Sequence, residues 1–468
     1  MQVARFQVII AAHMASPSAS PPARSSVAGR LERLPLSRFH RRFITLVSLG
    51  GWFDFYDIFM VAYLGAALRG AGFLDLPQLS LFVSSGFAGM FVGAIVFGVG
   101  SDYMGRRTAF IFMLLIYSLF TLAGAFAPDG RWLIATRALA GVGIGAELIV
   151  IDTYVTEMVP SFARGRYVAI TQLIGFTAIP IVAALSYMLV PTHVLIDGWR
   201  WVMVIGAAGA LFAWYLRRSL TESPRWLESR GRTAEASAIV EAIEHEVEAE
   251  HRLPLPTPRE FEGEPETRTP WRELWKPPFL DRTLMMIGFQ LLQTVGVYGW
   301  ANWLPTFLVQ QGIPLVTSLR YSLLMAVASP LGPLVAVWCS DRLERKWTIV
   351  MLSAAMAVTG LVFLQARAPW QVIACGATLT MLSYWFSAAF HAYQAELFPT
   401  RARATGVGFT YSWSRLSAAV SSLVIGALLA YGVGAVVLLI TAAWIGVAAI
   451  IGVFGPRTNA VPLEVVSR

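Results

Sequence analysis

The stretch GVGSDYMGRRT, residues 98–108, has a counterpart in AVWCSDRLERKWT, residues 336–348. Asp341 follows Asp102 by 239 residues, and Arg345 and Lys346 follow Arg106 and Arg107 by the same interval. A second pair of stretches keeps the step. In TEMVPSFARGR (156–166) and AELFPTRARAT (395–405), Glu396, Pro399 and Arg403 stand 239 residues beyond Glu157, Pro160 and Arg164. Each stretch lies at the end of an apolar run of bilayer length. Ordinary basic charge beside a membrane would account for either motif alone, but not for the shared interval. The chain therefore reads as a duplicated unit whose two copies run in the same direction through the membrane.

The composition agrees. Of 468 residues, 56% are hydrophobic and 14% charged, with a mean hydropathy of +0.61. A soluble domain carries about a quarter charged residues. Twelve spans are expected, near 43–68, 79–100, 108–127, 132–156, 167–190, 200–217, 283–309, 318–339, 348–366, 370–394, 405–431 and 434–454. With both termini on one side, the loops of that side hold 29 of the 36 Lys and Arg, including Arg41, Arg42, Arg217, Arg218 and Arg342, and the opposite loops hold five. That bias makes the termini cytoplasmic in a cell (inner) membrane. The net charge of +8 is thus a topology signal, and nucleic acid is not an expected partner. Cys339 and Cys375 imply no disulfide framework.

The expected organisation is a disordered N-terminal tail over 1–42, a six-helix bundle over 43–217, a helical cytoplasmic linker over 218–281, a second bundle over 282–455, and a short tail over 456–468. Met14 is an alternative start. The fold class is an all-α membrane protein of twelve spans in two parallel repeats.

Gly98-x-x-x-Asp102-x-x-Gly105-Arg106-Arg107 resembles the loop signature of the major facilitator superfamily. Arg137-x-x-x-Gly141-x-Gly143-x-Gly145, Glu157-x-x-Pro160-x-x-x-Arg164-Gly165-Arg166, ESPRW at 222–226 and Glu396-x-x-Pro399 are similar to the sugar-porter and organic-ion branch. The likeness covers residues about 43–455; Glu344 departs from it, replacing the glycine of the second loop copy. The family works by rocking its halves about a central site. Asp102, Arg106, Arg107, Glu157, Arg164, Asp341, Arg345, Glu396 and Arg403 are accordingly expected to gate, with the carboxylates accepting Arg hydrogen bonds and capping helix ends.

Five ionisable residues fall well inside the spans: Asp54, Asp57, Arg137, Glu147 and Arg415. Charges there are costly; they pair, or they serve ion and substrate paths. By resemblance, Asp57 stands where proton-coupled sugar porters carry a helix 1 aspartate, and Arg137 matches the helix 4 arginine that pairs with it. Asp54 extends the motif to Asp-x-x-Asp, as in aromatic-acid:proton symporters. Glu147, about 15 Å from Arg137 along a helix, is a candidate for proton transfer or for setting local charge. Which acid carries the proton stays open. The alternative for each is an ion pair that only joins helices.

Arg415, halfway through span eleven, needs an anion, and its planar fork suits a carboxylate. The anion is a substrate or an internal Asp or Glu. Organic-anion relatives often carry this arginine. By motif position, Gln172, Gln293 and His391 fall on the sugar-binding residues of helices 5, 7 and 10. Thr294 and His391 depart from the sugar pattern. Tyr298, Trp300, Asn302, Trp303, Trp385 and Tyr411 enrich the region in rings and polar groups on which a flat acid could stack. The reading is a proton-coupled importer of a small aromatic monocarboxylate, with nicotinate first by resemblance to niacin transporters. Benzoates, dicarboxylates, sugars, or a non-transporting receptor on the same fold are the alternatives. No enzyme chemistry, metal or cofactor is expected beyond the proton as coupling ion. The expected partners are an organic-anion substrate and lipid, and the expected state is a monomer.

Overall fold

A computed structural model describes residues 27–145, 147–258, 271–277, 279–339, 343–398 and 400–458. The first group of helices is α1 (Val27–Glu32), α2 (Arg38–Gly70), α3 (Leu76–Met104), α4 (Arg106–Ala125), α5 (Gly130–Ile144), α6 (Glu147–Met158), α7 (Ser161–Phe176), α8 (Ala178–Leu189) and α9 (Gly198–Arg217). A two-residue hairpin, His193–Val194 against Ile196–Asp197, lies between α8 and α9. The linker contains α10 (Pro224–Ser229), α11 (Thr233–His251) and a 3-10 turn at Trp271–Trp275. The second group is α12 (Leu280–Ala301), α13 (Leu304–Gln310), α14 (Leu315–Ala326), α15 (Leu331–Cys339), α16 (Arg345–Gln365), α17 (Pro369–Glu396), α18 (Thr400–Leu429) and α19 (Val433–Phe454).

Eleven helical stretches among the described residues are long and apolar enough to cross a membrane. The stretch expected at 132–156 is not among them, because it is described as α5 and α6, of 15 and 12 residues, on either side of residue 146. Side chains such as Phe112, Leu119, Val358, Val362 and Ile445 point outward and are exposed, as lipid contact requires. Sequence sets the helix starts. Asp75 accepts a hydrogen bond from Gln78 N (2.7 Å) while Gln78 accepts one from Asp75 N (3.1 Å), and Asp129 caps α5 through Trp132 N (2.8 Å). Small residues set helix separation: a Cβ on Gly141 would meet the Gly86 backbone of α3.

The halves meet through α3 on α18, α8 on α14, and α2 on α13. On the side away from the basic loops this contact is tight. A Cβ on Gly426 would strike the Ser80 hydroxyl and lie 3.5 Å from the Trp303 ring. Of the ion pairs described on the basic side, Arg106–Glu157 and Arg345–Glu396 lie within one half, Arg164–Glu32 ties the first half to the N-terminal segment, and Arg30–Glu244 and Arg41–Glu250 tie that segment to the linker.

Part of the expected disordered tail is ordered. Residues 27–34 bury Val27, Leu31 and Leu34, and Glu32 accepts hydrogen bonds from Ser161 N (2.7 Å), Arg225 (3.0 Å) and Arg164. Arg30 and Arg33 both donate to Glu244 of α11 at 2.6 Å. These ion pairs and the three buried apolar side chains hold the segment in spite of the Ala-, Ser-, Pro- and Arg-rich composition that suggested disorder. Residues 1–26 and 459–468 lie outside the described residues.

Candidate functional site

The interior of the first half holds two charged clusters on α2. Asp57 pairs with Arg137 of α5, and Thr121 of α4 donates to the same carboxylate at 3.4 Å. Both partners are buried. Asp54 lies one turn earlier, fully buried, and no donor among the described residues reaches either of its carboxylate oxygens. Its helix packs on α6, which begins at Glu147. Glu147 in turn accepts a hydrogen bond from Arg217 at 2.9 Å.

Arg217 was absent from the candidates because it reads as one of a basic pair flanking span six. In the fold it turns inward, fully buried, donating to the Leu46 and Val47 carbonyls at 3.2 and 2.9 Å and lying 3.5 Å from the Phe110 ring centroid. A signal was present. Gly206, Ala210 and Ala213 form the buried stripe of α9, and Arg217 continues it at helical spacing, whereas Arg218 stacks on Trp214 outside it.

In the second half, Arg415 is 4% exposed. It donates to Tyr298 Oη at 3.1 Å and lies 5.4 Å from the Tyr411 ring centroid. Among the described residues no carboxylate is within ion-pair distance of it. Tyr411 neighbours His391 (5.7 Å between ring centroids). From His391 an amide chain runs through Gln394 (3.1 Å) and Gln290 (3.0 Å) to Gln293 (2.9 Å). Gln290 lies one turn before Gln293 on α12, and its inward phase was legible from that spacing alone. The Tyr298 ring also packs, tilted, against Phe87 of α3 with centroids 4.8 Å apart, so the Arg415 cluster borders the interface between halves.

The other candidates are spread differently. Trp300 lines an apolar cavity with Phe59, Tyr63, Ser383 and Tyr384. Asn302 and Trp303 sit at the α12–α13 junction, buried, and their side-chain nitrogens have no hydrogen-bond partner among the described residues. Trp385 is half-buried beside Gly332, and Gln172 is half-buried with no hydrogen bond to the described residues.

Of the gating candidates, Arg106 pairs with Glu157 at 3.2 Å and Arg345 with Glu396 at 2.7 Å, each within its own half. Arg107 donates to the Arg218 carbonyl at 2.8 Å. Arg164 pairs with Glu32. Asp341 and the side chains of Asp102 and Arg403 lie outside the described residues. The two loop copies solve one problem differently. Gly105, at φ 95°, lets the Glu222 carboxylate accept from Arg106 N (2.9 Å) and Arg107 N (3.1 Å). In the second copy Glu344, at φ −65°, supplies the capping carboxylate itself, accepting from Lys346 N at 3.3 Å. That explains the departure from glycine: the positive φ is not needed when the cap is local.

A family model described as "Sugar (and other) transporter" matches residues 43–468. The chain belongs to this family of transporters. It is 32% identical to a putative metabolite transport protein, YyaJ, of Bacillus subtilis over 93% of this chain and 96% of that one. It is 31% identical to the niacin transporter NiaP of Acinetobacter baylyi over 93% and 98%. The xylose transporter XylE of E. coli, in a partially occluded inward-open conformation, superposes with a TM-score of 0.75 at 17% identity, covering 91% of this chain and all of that one. The transporter thus has the major facilitator fold.

Proposed function

We propose that this transporter is a proton-coupled importer of a small aromatic monocarboxylate, with nicotinate the first candidate. The observation that carries the substrate class is Arg415. A permanently charged, buried guanidinium whose direct contacts among the described residues are the neutral Tyr298 and Tyr411 is short of an anion. A substrate carboxylate supplies one, and the Tyr298 and Tyr411 rings offer faces for an aromatic body. The similarity to a niacin transporter points the same way. The Asp57–Arg137 pair in the opposite half supports coupling: protonation of Asp57 removes the attraction that holds α2 to α5. With the basic loops in the cytoplasm, the halves are closed outside, the state that releases substrate inward.

Purified protein in liposomes tests this. An acidic exterior should drive accumulation of labelled nicotinate, and Asp57→Asn should abolish accumulation while sparing nicotinate exchange. A sugar reading has one supporting feature, the Gln290–Gln293–Gln394 amide chain. Xylose uptake in place of nicotinate uptake would replace the proposal with it.

A further inference from the structure

The Asp54 cluster contains more negative than positive charge. Asp54 and Glu147 bring two buried carboxyl groups together, and among the described residues Arg217 is the one cation bonded there. The Asp57 charge, one turn away, is already matched by Arg137. Among the described residues, no donor reaches either Asp54 oxygen or Glu147 Oε2. Geometry brings the two carboxyls together: α2 packs on α6, and the Arg217 guanidinium, 2.9 Å from Glu147, fills the space beside Gly50, one turn before Asp54 on α2. Two ionised carboxylates side by side repel and leave three acceptors unsatisfied, which buried polar groups rarely tolerate. A single proton brings the cluster to neutrality and, as one O–H···O bond between the carboxyls, accounts for two of the three oxygens.

We infer that Asp54 and Glu147 hold one proton between them, a proton site distinct from the Asp57–Arg137 pair. Arg217 is the positioning residue that neutralises the remaining carboxylate, anchored by the Leu46 and Val47 carbonyls. The groups around the pair are Asp57 on its own helix, Tyr117 on α4, which reaches the Phe53 carbonyl, and Arg217 on α9, while Arg415 on α18 interacts with the Asp54 charge at longer range from the other half. Arg415 is therefore within electrostatic range of both the substrate anion and this proton. An anion on Arg415 cancels the positive field that Asp54 feels, so anion and proton favour each other's binding, reciprocally. When the proton leaves toward the cytoplasm, the cluster carries one net negative charge and Arg415 gains a competing anion in place of its substrate.

The use of this site rests on the proton-coupled reading above, but its test does not involve transport. Infrared spectra of the protein in phospholipid liposomes at neutral pH should show a carboxylic-acid C=O stretch that shifts in D2O. Difference spectra should show that band lost in both Asp54→Asn and Glu147→Gln, and retained in Asp57→Asn. Glu147→Asp, which keeps the shared proton with altered geometry, should move the band. No acid band in the native protein would overturn the site. So would a band that survives both amide variants, or one that is lost only in Asp57→Asn. If the amide variants fail to fold, an unmoved band in Glu147→Asp overturns it as well. Acid-driven uptake without the band leaves the transport reading intact, whereas the band without acid-driven uptake does the reverse.

Discussion

Replacing Arg415 separates an anion-binding guanidinium from one that only braces helices. In the fold its described polar contact is the neutral Tyr298 hydroxyl at 3.1 Å. Arg415→Ala therefore leaves no buried carboxylate orphaned, and the variant should fold. What it removes is the charged partner of the ligand. A hydrogen bond to a charged group contributes about 1.5–3 kcal/mol, or roughly 10–150-fold in Kd. Arg415→Lys keeps the charge but loses the two-pronged geometry, and should fall about tenfold. Calorimetry with nicotinate and nicotinamide closes a cycle of ligand and residue. The native protein should prefer the acid by the same 10–150-fold, and Arg415→Ala should bind acid and amide within about threefold of each other. An acid preference that survives in Arg415→Ala would refute the reasoning, because the carboxylate would then be held elsewhere.

Two further substitutions test the inward turn of Arg217 and the ordering of the N-terminal segment. A Cβ on Gly50 would occupy the space of the Arg217 guanidinium, so Gly50→Ala should lower stability by about 1–3 kcal/mol, as overpacking does. Thermal melting checks it, and an unchanged midpoint would mean that the guanidinium has another place to go. Burial pushes the Glu244 carboxyl up, but the hydrogen bonds from Arg30 and Arg33 outweigh it and hold the group below its ordinary value. A depressed folded value means that the contribution is complete above the unfolded value and lost as pH falls through the folded one. Protection of residues 27–34 against hydrogen exchange, measured relative to the intrinsic rate at each pH, should therefore fall as the pH drops below the ordinary carboxylate range. Glu244→Gln should show the lowered protection already at neutral pH, and equal protection in native and variant protein at neutral pH would remove this ion pair as the anchor.

Residue type and interval along the chain were enough for the membrane class, the duplication and the family, because these depend on patterns that survive without coordinates. Apolar runs of bilayer length and motifs recurring every 239 residues are such patterns. The same holds for the cost of charges within spans, which marked Asp54, Asp57, Arg137, Glu147 and Arg415 as noteworthy before any partner was known. Partners are a different matter. Asp57 with Arg137 was legible only through resemblance to a family, and Arg217 was hidden. An arginine at the end of a span can point to water or turn in, and only the packing of α9 against α2, with Gly50 leaving room, decides which. The tertiary structure likewise gave Arg415 a tyrosine in place of an internal acid, and put Trp300 in a separate apolar cavity although it is two residues from Tyr298. Helical neighbours two apart face different directions, so nearness in sequence does not make a shared site. Charge neutrality in a low-dielectric interior is a property of the assembled cluster, and it exists only once distant helices have met.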